Sequence, residues 1–135
     1  LAGRPDRREA AAPLAARTKI PRRYLHKVLQ AMVQGGLVES QSGPGGGYSL
    51  CVPPEELTIL AVVNTVAPLE RIRHCPLGLP SHTRLCPLHK ELDRVYVEIE
   101  KAFGRVTVAE LLNSTSTIIP LCDVARSTRA ASRSR

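Results

Sequence analysis

The sequence predicts a mainly α-helical fold with one small β-hairpin. Three observations predict it: apolar residues recur at helical spacing in two long segments, a glycine-rich stretch separates two short β-type segments, and prolines or glycines punctuate the chain between them. The chain has 135 residues, which is enough for one small domain with appendages. Because it has three Tyr, one Phe and no Trp, its core has to be built from Leu, Val, Ile and Ala.

Two helices open the predicted order of elements. Residues 1–9 are polar and charged and predict a loop, and residues 12–17 predict a short helix with Pro13 in its first turn. After a turn over residues 18–21, the strongest helix covers residues 22–34. Its apolar residues form one continuous stripe, which predicts a buried face. The stripe consists of Leu25, Val28, Leu29, Met32 and Val33.

A β-hairpin and a third helix follow. Residues 37–41 and 48–52 predict two short strands, because they flank a turn over residues 42–47 that is too rich in glycine for regular structure. Thr58 is a good N-cap for a helix that Pro68 closes. The apolar residues of this helix are Ile59, Val62, Val63 and Val66.

The second half of the chain predicts one long helix. Over residues 88–103, apolar residues recur at alternating steps of four and three, which is the pattern of a coiled-coil seam and predicts a dimerisation helix. Residues 108–112 add a short C-terminal helix. Ser, Thr, Arg and Ala dominate the tail, which predicts disorder beyond Ala125. The seam consists of Leu88, Leu92, Val95, Ile99 and Ala102.

The order of these elements is that of a winged helix-turn-helix: a short helix, a turn, a longer amphipathic helix and a hairpin with a glycine-rich tip. We therefore predict a DNA-binding domain over residues 1–67 and an irregular Cys/His loop over residues 68–87. The dimerisation helix and the short C-terminal helix occupy residues 88–112, and a mostly disordered tail occupies residues 113–135.

The helix over residues 22–34 has a second, polar face that predicts contact with double-stranded DNA. The major groove admits one helix, arginine and glutamine can pair with base edges, and lysine suits phosphate. The glycines of the hairpin allow backbone N–H groups to approach phosphate closely. The predicted DNA-binding residues are Arg22, Arg23, Tyr24, His26, Lys27, Gln30, Gly45, Gly46 and Tyr48.

The distribution of charge agrees with a polyanionic partner. The formal net charge is +7, and residues 1–50 carry eight Lys/Arg against three Asp/Glu, whereas residues 51–125 carry seven against nine. No apolar run reaches the ~18 residues of a membrane helix. The polar, arginine-rich start does not resemble a signal peptide. We therefore expect a cytoplasmic protein without a membrane partner.

Other functions are also compatible with parts of the sequence. The basic helix would suit an RNA- or protein-interaction module, although single-strand RNA readers usually display stacking aromatics and only Tyr24 lies near the basic face. The glycine-rich turn lacks the Lys-Ser/Thr ending of a P-loop. An enzyme would use Cys86 and His89 as nucleophile and base, but no orienting carboxylate is recognisable, so we expect no enzymatic activity.

Four soft metal ligands fall within fifteen residues: Cys75, His82, Cys86 and His89. Cys86 and His89 are three residues apart at the start of the long helix, which places both side chains on one face. Cys75 lies on a Pro/Gly-rich segment that can fold back toward them. An iron–sulfur cluster with mixed Cys and His ligands, a zinc ion and the absence of any cofactor are all compatible with this set.

Five stretches of sequence resemble the Rrf2 family of winged helix-turn-helix regulators, which includes IscR, NsrR and CymR. They read IPRRYLHKVLQAMVQGGLVES, GPGGGYSL, PPEELTILAVVNTV, LCPLHKELD and VTVAELL. The resemblance covers about residues 10–112 and implies a homodimeric, sequence-specific repressor or activator. It implies that the helix over residues 22–34 reads the major groove, that the wing enters the minor groove, and that residues 88–103 form the dimer interface.

The resemblance also implies a cofactor site. Cluster-binding members of the family ligate an iron–sulfur cluster through three cysteines, sometimes with a histidine, and the matching positions are Cys75, Cys86 and His89. His82 stands near the position of the middle cysteine, and the type, [2Fe–2S] or [4Fe–4S], is left open. On this interpretation the protein is a homodimeric repressor that senses redox state, iron–sulfur status or nitric oxide. A cofactor-free or truncated relative is the alternative.

Three departures from the family pattern are visible. The family's first helix, with its Tyr-Ala-Leu pattern, has no match in this sequence. Ser42 stands where a basic residue usually precedes the wing, and Lys19 stands where the turn often has glycine. We expect the first departure to weaken the core and the dimer, and the second to weaken the grip on the minor groove.

Overall fold

The computed structural model describes residues 1–3 and 6–115 and contains, within them, five α-helices and one antiparallel β-hairpin. This is the mainly α architecture with a hairpin wing that the sequence predicts. The elements are α1 (Ala11–Thr18), α2 (Arg22–Gln34), β1 (Val38–Gln41), β2 (Gly47–Leu50), α3 (Ile59–Val66), α4 (Pro87–Arg105) and α5 (Val108–Leu112).

Most helix boundaries follow from local chemistry. α2 and α5 have the predicted bounds, and α1 is one residue longer at each end than predicted. α4 begins at Pro87, because proline fits the first turn of a helix where its missing N–H is not needed. The N-cap predicted for α3 is confirmed, since the Thr58 hydroxyl accepts a hydrogen bond from the N–H of Ala61 at 3.1 Å.

The hairpin is shorter than predicted at two ends. β1 begins at Val38 instead of Leu37, and β2 runs from Gly47 to Leu50 instead of from Tyr48 to Val52. The register pairs Val38 with Leu50 and Ser40 with Tyr48.

The prediction that residues 1–9 are only a loop is wrong at Glu9. The backbone N–H of Glu9 donates to the carbonyl of Tyr48 and the N–H of Tyr48 donates to the carbonyl of Glu9, both at 2.9 Å. This pairing covers the free edge of β2 and satisfies backbone groups that would otherwise face water or lack partners. A bridge of one residue has no alternation of apolar and polar side chains, so it left no signal in the sequence.

The main core lies between α1 and α2. It contains four buried residues, which are Ala11, Leu14, Leu25 and Leu29. Half-buried Ile20 and Tyr48 pack against this cluster, with Leu1 and Ala15. The apolar stripe of α2 therefore faces inward as predicted, fully at two positions and partly at the other three.

The remaining helices are less well covered. α3 packs against both α2 and α4. Neither α3 nor α4 has a fully buried residue in the described chain. Leu57 and Ala109 are buried where the chain before α3 meets α5, and the N–H of Val108 donates to the carbonyl of Leu57 at 2.8 Å. Every residue of α4 is half-buried or exposed.

None of the described helices is long and apolar enough to cross a bilayer. The disorder predicted beyond Ala125, and most of the predicted tail over residues 113–135, lie outside the described residues.

Candidate nucleic-acid interface

One face of α2 is a continuous exposed row of polar and basic side chains. Arg23, His26, Lys27 and Gln30 are spaced at i, i+3, i+4 and i+7, so they lie on one side of the helix. All four side chains are exposed, whereas the opposite side is anchored in the core by Leu25 and Leu29. The helix is therefore fixed in orientation by one face and free to contact a partner with the other.

The N-terminus of α2 is also available to a partner. Pro21 is the N-cap residue, and no side chain caps this end of the helix. The first N–H groups of a helix carry a partial positive charge and bind anions when no side chain occupies them. Arg22 and Arg23 occupy the first two positions and are exposed. Tyr24 is 58% exposed and lies beside them. This end of α2 combines formal and dipolar positive charge.

The tip of the hairpin is a tight turn built on glycine. Gly43 and Gly45 have φ angles of 92° and 72°, which L side chains rarely adopt. The N–H of Gly46 donates to the carbonyl of Gly43 at 3.0 Å, and a Cβ at Gly46 would collide with the backbone carbonyl of Gln41. The turn thus presents backbone with little side-chain cover, which is what close approach to phosphate requires.

Tyr48, a predicted DNA-binding residue of the wing, also contributes to packing. Its side chain is half-buried and packs against the core cluster. Its backbone N–H and its backbone carbonyl each form a hydrogen bond with the backbone of Glu9. Packing therefore offers a second reason for an aromatic residue at this position, and DNA contact by Tyr48 stays a prediction. The candidate interface consists of the α2 residues Arg22, Arg23, Tyr24, His26, Lys27 and Gln30 and the wing residues Gly45, Gly46 and Tyr48.

Ion pairs before α1 hold the wing in place, and the sequence analysis did not find them. Arg8 bonds to Glu39 of β1 at 2.8 Å, and the Ser49 hydroxyl of β2 donates to the same carboxylate at 2.9 Å. The hydrogen bond from Ser49, together with the charge of Arg8, lowers the pKa of Glu39. The guanidinium of Arg17 in α1 donates two hydrogen bonds to the carboxylate of Glu9, at 2.6 and 3.2 Å. Partners 8 to 31 residues apart leave no local pattern by which to find them.

The predicted Cys/His set is only half assembled. The Cys86 sulfur lies 3.4 Å from Nδ1 of His89, so these two side chains meet. Cys75 and His82 do not join them, because no group of three or more His, Cys, Asp or Glu side chains in the described chain is placed to hold a metal ion. Protein-bound iron–sulfur clusters take four ligands. The residues present do not fit a cluster, and we derive no step through one.

The apolar seam of α4 faces outward. The exposed fractions of Leu88, Leu92, Val95 and Phe103 are 65%, 43%, 50% and 37%. Leu88, Leu92 and Val95 follow the predicted four-three spacing, which half-buried Ile99 and exposed Ala102 continue. Phe103 lies next to Ala102 and was not part of the predicted seam. A surface of this kind on one helix is typical of a protein–protein contact.

Comparison with known proteins agrees with this architecture. The family model described as "Rrf2: Iron-dependent Transcriptional regulator" matches residues 1–114. The chain belongs to the Rrf2 family. The fold is close to that of CymR, described as the global cysteine regulator of Bacillus subtilis, with a TM-score of 0.66, 18% sequence identity, and coverage of 86% of this chain and 87% of that one.

Sequence relatives of this Rrf2 protein carry regulator names. A candidate HTH-type transcriptional regulator of Haemophilus influenzae is 30% identical over 104 residues, which cover 76% of this chain and 69% of that protein. The candidate regulator BadM of Rhodopseudomonas palustris is 41% identical over 63 residues, which cover 47% of this chain and 40% of BadM. The Rrf2 chain is therefore a transcriptional regulator of the DNA-binding type, as the resemblance implies.

Proposed function

We propose that this Rrf2 protein acts as a homodimeric repressor that binds a specific duplex sequence, with α2 in the major groove and the wing against the adjacent minor groove. The observation that carries the proposal is the division of α2 into two faces. Leu25 and Leu29 fix the helix in the core, and Arg23, His26 and Lys27 stand exposed in one row on the other side.

The exposed row supplies two kinds of contact. Arg23 and Gln30 carry side chains that make paired hydrogen bonds to base edges, which is the source of sequence preference. Lys27 carries a point charge suited to phosphate, which contributes affinity that is independent of sequence. The uncapped N-terminus of α2 adds backbone N–H donors for a phosphate near Arg22.

The second protomer covers the exposed seam of α4. Leu88, Leu92 and Val95 follow coiled-coil spacing and lie exposed along one side of a helix of 19 residues. A second copy of α4 offers the complementary apolar surface, because a two-fold interface places the same patch on both sides. The dimer then carries two α2 helices, which suits an operator with two half-sites. A dimer bound across a promoter excludes other proteins from it, which gives repression.

The function requires that Arg23 and Lys27 act differently, and two variants test this. Arg23→Ala should weaken operator binding by about 1–3 kcal/mol and relax the preference at one base position. Lys27→Ala should weaken binding to all sequences alike and reduce the slope of log K against log salt by about one ion. Fluorescence anisotropy on matched and scrambled duplexes at two salt concentrations measures both effects.

Arg84→Ala is the control, because it removes one positive charge from the exposed loop before α4. It should leave both the affinity and the base preference unchanged. Equal losses for Arg23→Ala on matched and scrambled duplexes would contradict direct reading of a base. Binding to single-stranded RNA in preference to duplex DNA would contradict the proposed function itself and favour an RNA-interaction module.

A further inference from the structure

A pocket lies between the connector that follows α3 and the middle of α4. Its volume is about 540 Å³, within the range of about 300–1,000 Å³ that small-molecule sites occupy. The wall on the connector is formed by four consecutive residues, three polar or charged and one isoleucine, and α4 contributes a single carboxylate. The lining residues are Arg71, Ile72, Arg73, His74 and Asp93.

Two of these residues form a fixed wall. The guanidinium of Arg71 donates two hydrogen bonds to the carboxylate of Asp93, both at 2.6 Å, and the N–H of Ile72 donates a third at 3.0 Å. Arg71 also forms an ion pair with Glu100, in which 3.8 Å separate Nη1 of the arginine from Oε2 of the glutamate. The hydrogen bond from Arg71 lowers the pKa of Asp93, so the carboxylate stays ionised. The charges of Arg71 and Asp93 therefore balance each other.

The second arginine of the pocket, Arg73, has no partner among the described residues. The side chain of Arg73 is exposed and forms no hydrogen bond or ion pair with another described residue, and the same holds for His74. Arg73 is nevertheless close enough to Asp93 for its charge to contribute to the low pKa of that carboxyl. Because the carboxylate of Asp93 is occupied by Arg71, Arg73 and His74 are the two nitrogen-bearing side chains of the lining that have no partner among the described residues.

We propose that this pocket binds a small oxyanion, a molecule that carries a carboxylate or a phosphate group. The planar fork of an arginine fits either group with two parallel hydrogen bonds, and the imidazole of His74 offers a third donor. Arg71 and Asp93 hold the connector in the shape that brings Arg73 and His74 to the same cavity. The conformational entropy of this segment is therefore already lost before the ligand arrives, which favours binding.

Oxyanion binding has a consequence for the regulator, and this consequence rests on the proposed function. The connector joins the body that contains α2 and α3 to the loop over residues 75–86 and to α4, the helix proposed to hold the dimer. A ligand bound by Arg73 and His74 fills the space between the connector and α4, so it shifts the position of the connector on α4. It thereby changes the relative position of the two α2 helices, and coupling of this kind typically changes affinity by about 5- to 150-fold.

The test begins with the full chain in the absence of DNA. Citrate and inorganic phosphate are titrated separately at constant ionic strength, and binding is followed by calorimetry and by the shifts of backbone amides. We expect saturable binding of at least one of the two, with the largest shifts at residues 71–74 and around Asp93. The anion that saturates the site at the lower concentration, citrate or phosphate, shows whether the pocket prefers a carboxylate or a phosphate group.

Two charge reversals separate this site from general attraction of anions. Arg73→Glu should weaken binding by at least about tenfold, whereas Arg84→Glu, the same charge change on the nearby loop, should leave it unchanged. Thermal unfolding of both variants shows whether each is folded. Absence of saturable binding, or equal loss in the two variants, overturns the proposal.

DNA affinity is then measured with and without the anion. If the anion binds through Arg73 and operator affinity does not change, the proposal of an oxyanion site is supported, but the proposed effect of the anion on DNA binding is overturned. If the protein binds no duplex DNA but still binds the anion, the proposed function fails and the pocket stands. If duplex DNA binds and neither anion does, only the pocket fails.

Discussion

Lys19 holds the turn between α1 and α2 in a backbone conformation that glycine adopts more easily. Its φ and ψ angles are 55° and 21°, and it is the one non-glycine residue of the described chain with positive φ. The left-handed region costs an L-residue roughly 1–2 kcal/mol, because Cβ comes too close to the following carbonyl. The strain at this residue explains why a glycine often stands there in the family pattern that the sequence resembles.

The strain at Lys19 predicts the effect of two substitutions. Lys19→Gly should be more stable than Lys19→Ala by about 1 kcal/mol, because both variants lose the lysine side chain and only alanine keeps the Cβ that causes the strain. Urea unfolding followed by circular dichroism gives the free energies of unfolding. Equal stabilities of the two variants would show that the turn relaxes and stores no strain at this residue.

Among the elements, the wing depends most on a residue that the sequence analysis did not single out. Gly47 has a φ of 146°, and a Cβ there would lie 2.7 Å from the backbone carbonyl carbon and oxygen of Glu9. The close approach allows the two backbone hydrogen bonds between Glu9 and Tyr48. Gly47 thus sets the distance between the wing and the segment before α1.

We predict that Gly47→Ala separates this segment from the wing. The variant should lose about 1–3 kcal/mol of unfolding free energy, because backbone atoms cannot move aside as the end of a flexible side chain can. The amides of Glu9 and Tyr48 should exchange faster with solvent. Gly43→Ala is the matched control, since its φ is also positive but no atom lies within 4 Å of the added Cβ. Similar losses in both variants would assign the effect to φ alone.

The elements also show how far the sequence could predict the structure. α2 was predicted with correct bounds, because one stripe of apolar residues and one row of polar residues on the same helix define both its inner and its outer face. Contacts between segments far apart were not predicted. The bond between Arg71 and Asp93 joins residues 22 apart in sequence, and neither has a neighbour whose type or spacing marks the partner.

In the candidate sites, too, the sequence predicts which residues lie together on one helix but not which residues meet across an irregular loop. The exposed row of α2 lies on one element, so periodicity alone placed Arg23, Lys27 and their neighbours together. The Cys/His set spans an irregular loop, where spacing does not determine distance. Only Cys86 and His89, which helical geometry holds three residues apart, are brought together.

At the scale of the whole molecule, burial is uneven. The half that contains α1 and α2 has a closed apolar cluster, whereas α4 has no buried residue in the described chain. Apolar surface that stays exposed to water forgoes roughly 25 cal/mol of stabilisation for each Å² that burial would remove from water. The part of the molecule that carries α2 thus has its own apolar core, whereas the apolar side of α4 is exposed in a single copy of the chain.

We therefore predict that α4 holds two copies of the chain together. Replacing Leu92 and Val95 together with Glu should give monomers in sedimentation velocity, because the seam would bury two unpaired charges from each copy. The variant should still bind a single half-site weakly, through α2, but should lose cooperative binding to an operator with two half-sites.

Leu111 and Leu112 provide the matched control, since both are exposed leucines outside α4. Their joint replacement with Glu makes the same chemical change on α5 and should leave the dimer intact. A native chain that sediments as a monomer at tens of micromolar would contradict the dimer model. If the native chain is a dimer and both double variants remain dimers, the interface lies on another surface, and the exposed seam of α4 needs a different partner.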